Sequence, residues 1–160
     1  MRSMVEIEGG QSKGREAMKV TAREIDSVLV IALDGELVSG AAPAFLRTAR
    51  RLLATASPPF IAVDLSQVRH VDSSGFGALV SLLRDAERRR GRLCLVGSRP
   101  EVRILLEIMQ LHLLFEMCSD IPQACEALAL TDRAASPVVA KVQREPFRAA
   151  GRLLEGDTGS

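Results

Sequence analysis

Residues 60–77 constrain this chain more than any other stretch. They open on a nearly continuous apolar run, Phe60-Ile61-Ala62-Val63-Asp64-Leu65, whose length and β-branched share predict a strand buried on both faces. They close on Val71-Asp72-Ser73-Ser74-Gly75-Phe76-Gly77, and from there Phe76, Leu79, Val80, Leu83 and Ala86 recur at helical spacing. Asp72, Ser73 and Ser74 therefore stand where a strand gives way to a helix.

All three residue types cap helices, because a side-chain oxygen accepts from backbone N–H groups that the first turn leaves free. The same N–H groups, with the helix dipole, also favour an added anion. A cap needs one residue, whereas this turn carries two serines and two glycines. A glycine inside a helix costs about 1 kcal/mol relative to alanine. Gly75 and Gly77 thus imply a helix packed very close to the sheet, an outside molecule approaching its first turn, or both.

The remaining pattern suits one domain. Of 160 residues 47% are hydrophobic, with neither Trp nor Tyr, so the core rests on aliphatic side chains and five Phe. Residues 1–17 are polar and aperiodic and are expected to be a disordered lead, with Met18 an alternative start to Met1. Residues 19–25 and 28–33 predict a hairpin turning at Asp26-Ser27. Residues 41–54 predict a helix with Phe45, Ala49, Leu52 and Leu53 inward and Arg47, Arg50 and Arg51 outward. The second helix is expected from Ser73 to about Arg90. A strand at 92–96, a helix from 101 to about 109 capped by Ser98, a short strand at 113–115 and a helix at 121–130 capped by Asp120 complete the order. Residues 131–160 are expected to be a flexible tail, with a transient helix at 148–154. The resulting fold class is α/β: a single domain over residues 18–130 with a mixed sheet of four to five strands and about four helices. The strand at 60–65 is expected to be central, with ligands favouring the loops beyond the strand ends, near Ser73.

Several chemistries are set aside on the residues themselves. Net charge is +1, which gives no broad footprint for nucleic acid. The basic run Arg84, Arg88, Arg89, Arg90 and Arg92 is diluted by Asp85 and Glu87 and reads as ordinary chemistry of a helix end. No apolar run is long enough to span a membrane, and the N-terminus lacks the apolar centre of a secretory signal. Three widely spaced cysteines, Cys94, Cys118 and Cys125, fit thiols in a reducing cytoplasm. A nucleophile elbow would need Gly two residues before the serine, where Val71 and Asp72 stand. His70, Asp72 and Ser73 are too close in sequence to form a relay. Two histidines and scattered cysteines offer no zinc spacing, and no phosphate-binding loop of Walker type occurs. The expectation is a protein without catalytic residues, metal or cofactor.

Together these residues resemble the STAS domain, and within it the anti-sigma factor antagonists of bacteria. The matching segments are Gly35-Glu36-Leu37, Val63-Asp64-Leu65-Ser66, Val71 through Leu79, and Gly91-Arg92-Leu93-Cys94-Leu95-Val96-Gly97, with the helix that follows and residues 111–115. The resemblance implies a cytoplasmic regulator of transcription that binds an anti-sigma factor, commonly also a serine protein kinase, and so frees a sigma factor. It implies phosphorylation of the first serine after the aspartate, here Ser73, which blocks binding until a serine phosphatase resets it. It implies a partner-binding surface of Asp72, Ser73, Ser74, Gly75, Phe76, Gly77 and Glu36. Where such proteins often carry an acidic residue after Gly-Glu-Leu, this chain has Val38, a departure that bears on partner contact. The alternative implied by the same domain is an unphosphorylated scaffold subunit of a membrane transport complex.

Overall fold

Asp26 and Ser27 both adopt positive φ, 51° and 67°, the left-handed pair required by a two-residue type I′ turn. They join β2 (Met18–Ile25) to β3 (Val28–Leu37), the expected hairpin, in antiparallel register from Ile25↔Val28 to Lys19↔Asp34. The computed structural model describes residues 5–9, 18–56 and 58–134, with side chains for 18–56 and 58–129. Val5–Gly9 forms β1, antiparallel to β2. This corrects the reading of residues 1–17 as wholly disordered: Val5-Glu6-Ile7-Glu8 alternates with the two-residue period of a strand. The rest of that lead, and the transient helix expected at 148–154, lie outside the described residues.

From β3 onward, helices and parallel strands alternate. The chain passes through α1 (Ala42–Leu53), β4 (Phe60–Val71), α2 (Ser73–Arg88), β5 (Arg92–Val96), α3 (Pro100–Ile108), β6 (Glu116–Cys118) and α4 (Ile121–Ala134). The sheet order is β1-β2-β3-β4-β5-β6. The fold is thus the expected single α/β domain with a mixed sheet and four helices. Its six strands exceed the expected four to five because β1 adds an edge. The last strand lies at Glu116–Cys118 rather than 113–115. Gln110, with φ of 60°, starts a 3-10 turn over Leu111–Leu113 and delays the strand. α4 reaches Ala134, past the expected end at 130.

Strand alternation divides the core in two. Ile31 and Leu33 of β3, Ile61, Val63 and Leu65 of β4, and Leu93 and Leu95 of β5 pack under α1, α2 and α3. The residues between them, Val28 and Val30, Phe60 and Ala62, Cys94 and Val96, pack with Ala124, Cys125 and Leu128 of α4. β4 is buried on both faces because each layer claims every second residue.

β4 continues six residues past the predicted end at Leu65. Two register shifts against β3, between Ala32 and Asp34 and between Gly35 and Glu36, each place one extra residue on β4. Each bulge resets the alternation, so Leu65, Val68 and Val71, three apart in sequence, all enter the α1–α3 core. The strand therefore stays in phase while running beyond β5 and delivers Asp72 beside the end of β3.

The basic residues at the helix ends are used within the fold. Arg89 donates to the carbonyls of Leu53 at 2.7 Å and Ala56 at 3.1 Å, closing the C-terminus of α1. Arg50 and Arg88 both pair with Asp85, the buried charged residue between α1 and α2. Arg92 pairs with Glu116 across β5 and β6. No helix among the described residues is long and apolar enough to cross a membrane.

Candidate functional site

Asp72 takes the cap. Its backbone is extended, with φ of −101° and ψ of −174°, and its Oδ1 accepts from the Gly75 N–H at 2.9 Å. Its Oδ2 accepts from the Ser39 N–H at 2.9 Å, which ties the β3–α1 loop to the first turn of α2. The backbone adds two further links: the Asp72 N–H donates to the Leu37 carbonyl at 3.3 Å, and the Phe76 N–H to the Asp72 carbonyl at 2.9 Å. One carboxylate thus satisfies a free N–H of α2 and fixes the neighbouring loop.

Ser73 and Ser74 then occupy the first two helical positions, both exposed, and neither hydroxyl bonds to any described residue. The sequence left three candidates for the cap; the backbone assigns it to Asp72 and leaves both hydroxyls in solvent. They stand at the N-terminus of a 16-residue helix with no acidic residue in its first turn, where the dipole favours added negative charge.

The two glycines divide the roles that were open. A Cβ on Gly75 would lie 2.1 Å from the Leu37 carbonyl oxygen and 2.8 Å from Val71 Cγ1. Gly75 is therefore a packing requirement. Around Gly77 there is nothing within 4 Å of such a Cβ, and the same holds for Gly40 in the loop held by Asp72. Both positions are open. Phe76 is buried, at 2% exposure, and belongs to the core. Of the seven expected contact residues, Gly75 and Phe76 thus lie beneath the surface and support it. Ser73, Ser74 and Gly77 are exposed, and Asp72 is half-buried.

Glu36 is exposed near the end of β3, in register with His70 of β4. Val38 is half-buried, and its carbonyl accepts from both the Ala41 and Ala42 N–H groups at 2.8 Å, forming the turn that leads into α1. Sequence reasoning missed Ser39, Gly40 and His70 as parts of this surface. The available signal was Asp72 itself, whose second oxygen needs a donor once the first has capped the helix.

The other reactive groups lie elsewhere. Cys94, Cys118 and Cys125 are buried in the α4 layer, and burial pushes all three thiols above their ordinary range. Thiols held protonated are poor nucleophiles. Ser98 does not cap α3 as expected. Arg99 is the N-cap residue, but its side chain makes no capping bond and its Nε donates instead to the Ser66 carbonyl at 3.0 Å; the buried Ser98 Oγ has no partner among the described residues. At the start of α4, Asp120 Oδ1 does accept from the Gln123 N–H at 2.8 Å.

The profile of the STAS domain matches residues 19–124. The chain belongs to the STAS domain family. Among solved structures it is similar to an anti-sigma factor antagonist of Mycobacterium paratuberculosis, with 22% identity over 70% of this chain and 94% of that one, at a TM-score of 0.64. It is similar to the unphosphorylated form of the anti-sigma factor antagonist SpoIIAA of Bacillus, with 20% identity over 64% and 88% of the two chains and a TM-score of 0.50. It is also similar to a sulfate transporter family protein of Wolinella succinogenes, with 15% identity over 69% and 92% and a TM-score of 0.57.

Proposed function

We propose that this protein is an anti-sigma factor antagonist, a binding module that captures an anti-sigma factor of the serine-kinase type and is switched off by phosphorylation of Ser73. The observation that carries the reading is the division of labour at the start of α2. Asp72 spends both oxygens on the cap and the loop, which leaves the Ser73 hydroxyl exposed and unbonded among described residues, with open positions at Gly40 in that loop and at Gly77 one turn along the helix. A kinase can reach such a hydroxyl without unfolding anything.

The physics of the switch follows from position. A phosphate adds about −1.5 to −2 charge. The free N–H groups and dipole of α2 accommodate it, so the fold is retained. Inside a protein interface beside Asp72, the same charge is repelled and poorly solvated. A penalty of about 2–5 kcal/mol there weakens a complex roughly thirty- to several-thousand-fold. A phosphatase acting on the same exposed position restores binding.

A second reading, an unphosphorylated scaffold subunit of a membrane transport complex, is favoured by Val38 in place of an acidic residue and by the likeness to the sulfate transporter family protein. Genes for a kinase-type anti-sigma factor beside this one support the switch; genes for a permease and an ATPase support the scaffold. The direct test is incubation with the cognate kinase and ATP, followed by mass spectrometry. Phosphate on Ser73 is the expected result. Phosphate on Ser74 alone, or none with a kinase proven to bind, contradicts the assignment.

A further inference from the structure

The exposed large apolar side chains of the described residues are gathered in one place. Ile104 is 55% exposed and Ile108 70% on α3, Met109 44% at its C-cap, and Leu113 48% on the 3-10 turn that follows. Ile104 and Ile108 stand one turn apart on the same helix face. Glu101 borders them on one side at helical spacing, and Glu107 with Arg103 on the other, all three exposed. Isolated exposed apolar residues need no explanation, but a contiguous group with a charged border marks a surface that something covers.

We propose that the occupant is this chain's own C-terminal segment, residues 147–154. Read at helical spacing, Phe147, Ala150, Leu153 and Leu154 fall on one arc, and Arg144, Arg148 and Arg152 on the arc beside it. An apolar stripe bordered by arginines complements an apolar patch whose border, Glu101, Glu107 and Arg103, is net acidic.

The course of the chain makes the contact reachable. α4 crosses the sheet towards the β2–β3 turn, and Cys125 Sγ already lies 3.9 Å from the Ile25 carbonyl oxygen. That turn marks the end of the sheet where the parallel strands begin. α3 runs back against those strands, so Ile108 and Met109 finish at the same end. Residues 135–146 follow α4 and extend to roughly 40 Å at full stretch. A domain of this size has a radius of gyration of about 13 Å. A second copy is the weaker occupant, since a two-fold contact through this patch sets one net acidic border, two glutamates to one arginine, against another.

The test uses the full chain and hydrogen exchange followed by mass spectrometry. Ile108→Asp is expected to speed exchange in residues 147–154 by about tenfold, and the double variant Leu153→Asp/Leu154→Asp to speed it in residues 104–114 by a similar factor. Ile108 is largely exposed, so its variant is expected to fold, with circular dichroism as the check. If it does not fold, the double variant still decides. Unchanged exchange in the double variant overturns the proposal. Sedimentation velocity closes the other route: a wild-type dimer that Ile108→Asp abolishes assigns the patch to a second copy and also overturns it.

Discussion

Both carboxylate oxygens of Asp72 are engaged, while the Ser73 hydroxyl has no partner among the described residues, and the two residues are expected to respond differently to truncation. Asp72→Ala removes a helix cap and the tie to Ser39, a loss of about 1–3 kcal/mol. Ser73→Ala changes an exposed group without a partner among described residues and is expected to stay within about 0.5 kcal/mol of wild type. Urea denaturation of the two variants measures both, and equal losses would return the cap to the serine. The glycines separate in the same way. Gly75→Ala drives a methyl group into the Leu37 carbonyl and is expected to cost about 1–3 kcal/mol or more. Gly77→Ala enters open space inside a helix and is expected to stabilise by up to about 1 kcal/mol. The sequence offered Asp72, Ser73 and Ser74 as cap candidates but could not rank them. Asp and Ser cap by the same chemistry, and only the extended backbone at Asp72 decides which one does.

The elements show where periodicity could be read and where it failed. The hairpin, α1, α2 and the first half of β4 were legible because each keeps its period without interruption. The second half of β4 was not. Counting by twos from Leu65 sends Gln67 and Arg69 inward, so the alternation ends at Leu65. The two bulges instead bury Val68 and Val71 and leave Gln67 and Arg69 exposed. Val68→Ala is therefore expected to cost about 1–3 kcal/mol, and Arg69→Ala much less. Similar losses at both positions in thermal melts would contradict this placement. The α4 layer carries a pH signature. Burial raises the Cys94 thiol far above its ordinary value near 9.0, so the unfolded chain loses that proton first as the solution becomes alkaline. Stability is full below about pH 9 and falls above it, because folding then requires the proton back. Cys94→Ala removes this dependence. The stability gap between wild type and variant is expected to narrow from pH 8 to pH 10, and a constant gap would show that the thiol is not held protonated.

At the scale of the whole molecule, the sheet and its two cores form a platform, and the function proposed for it is concentrated at one end of the central strands β3 and β4. The bulged end of β4, the β3–α1 loop and the first turn of α2 meet there through Asp72. The platform explains how a phosphate could change binding without changing the fold: the modified hydroxyl lies outside both cores, over a helix end that tolerates negative charge. The measurement that tests this most directly pairs Ser73→Asp with Ser73→Ala, each melted alone and each titrated against the anti-sigma factor. Both variants are expected to melt close to wild type. Ser73→Ala is expected to bind like wild type, and Ser73→Asp at least about thirtyfold more weakly. Equal affinity of the two folded variants would contradict the electrostatic switch and leave the scaffold reading in its place.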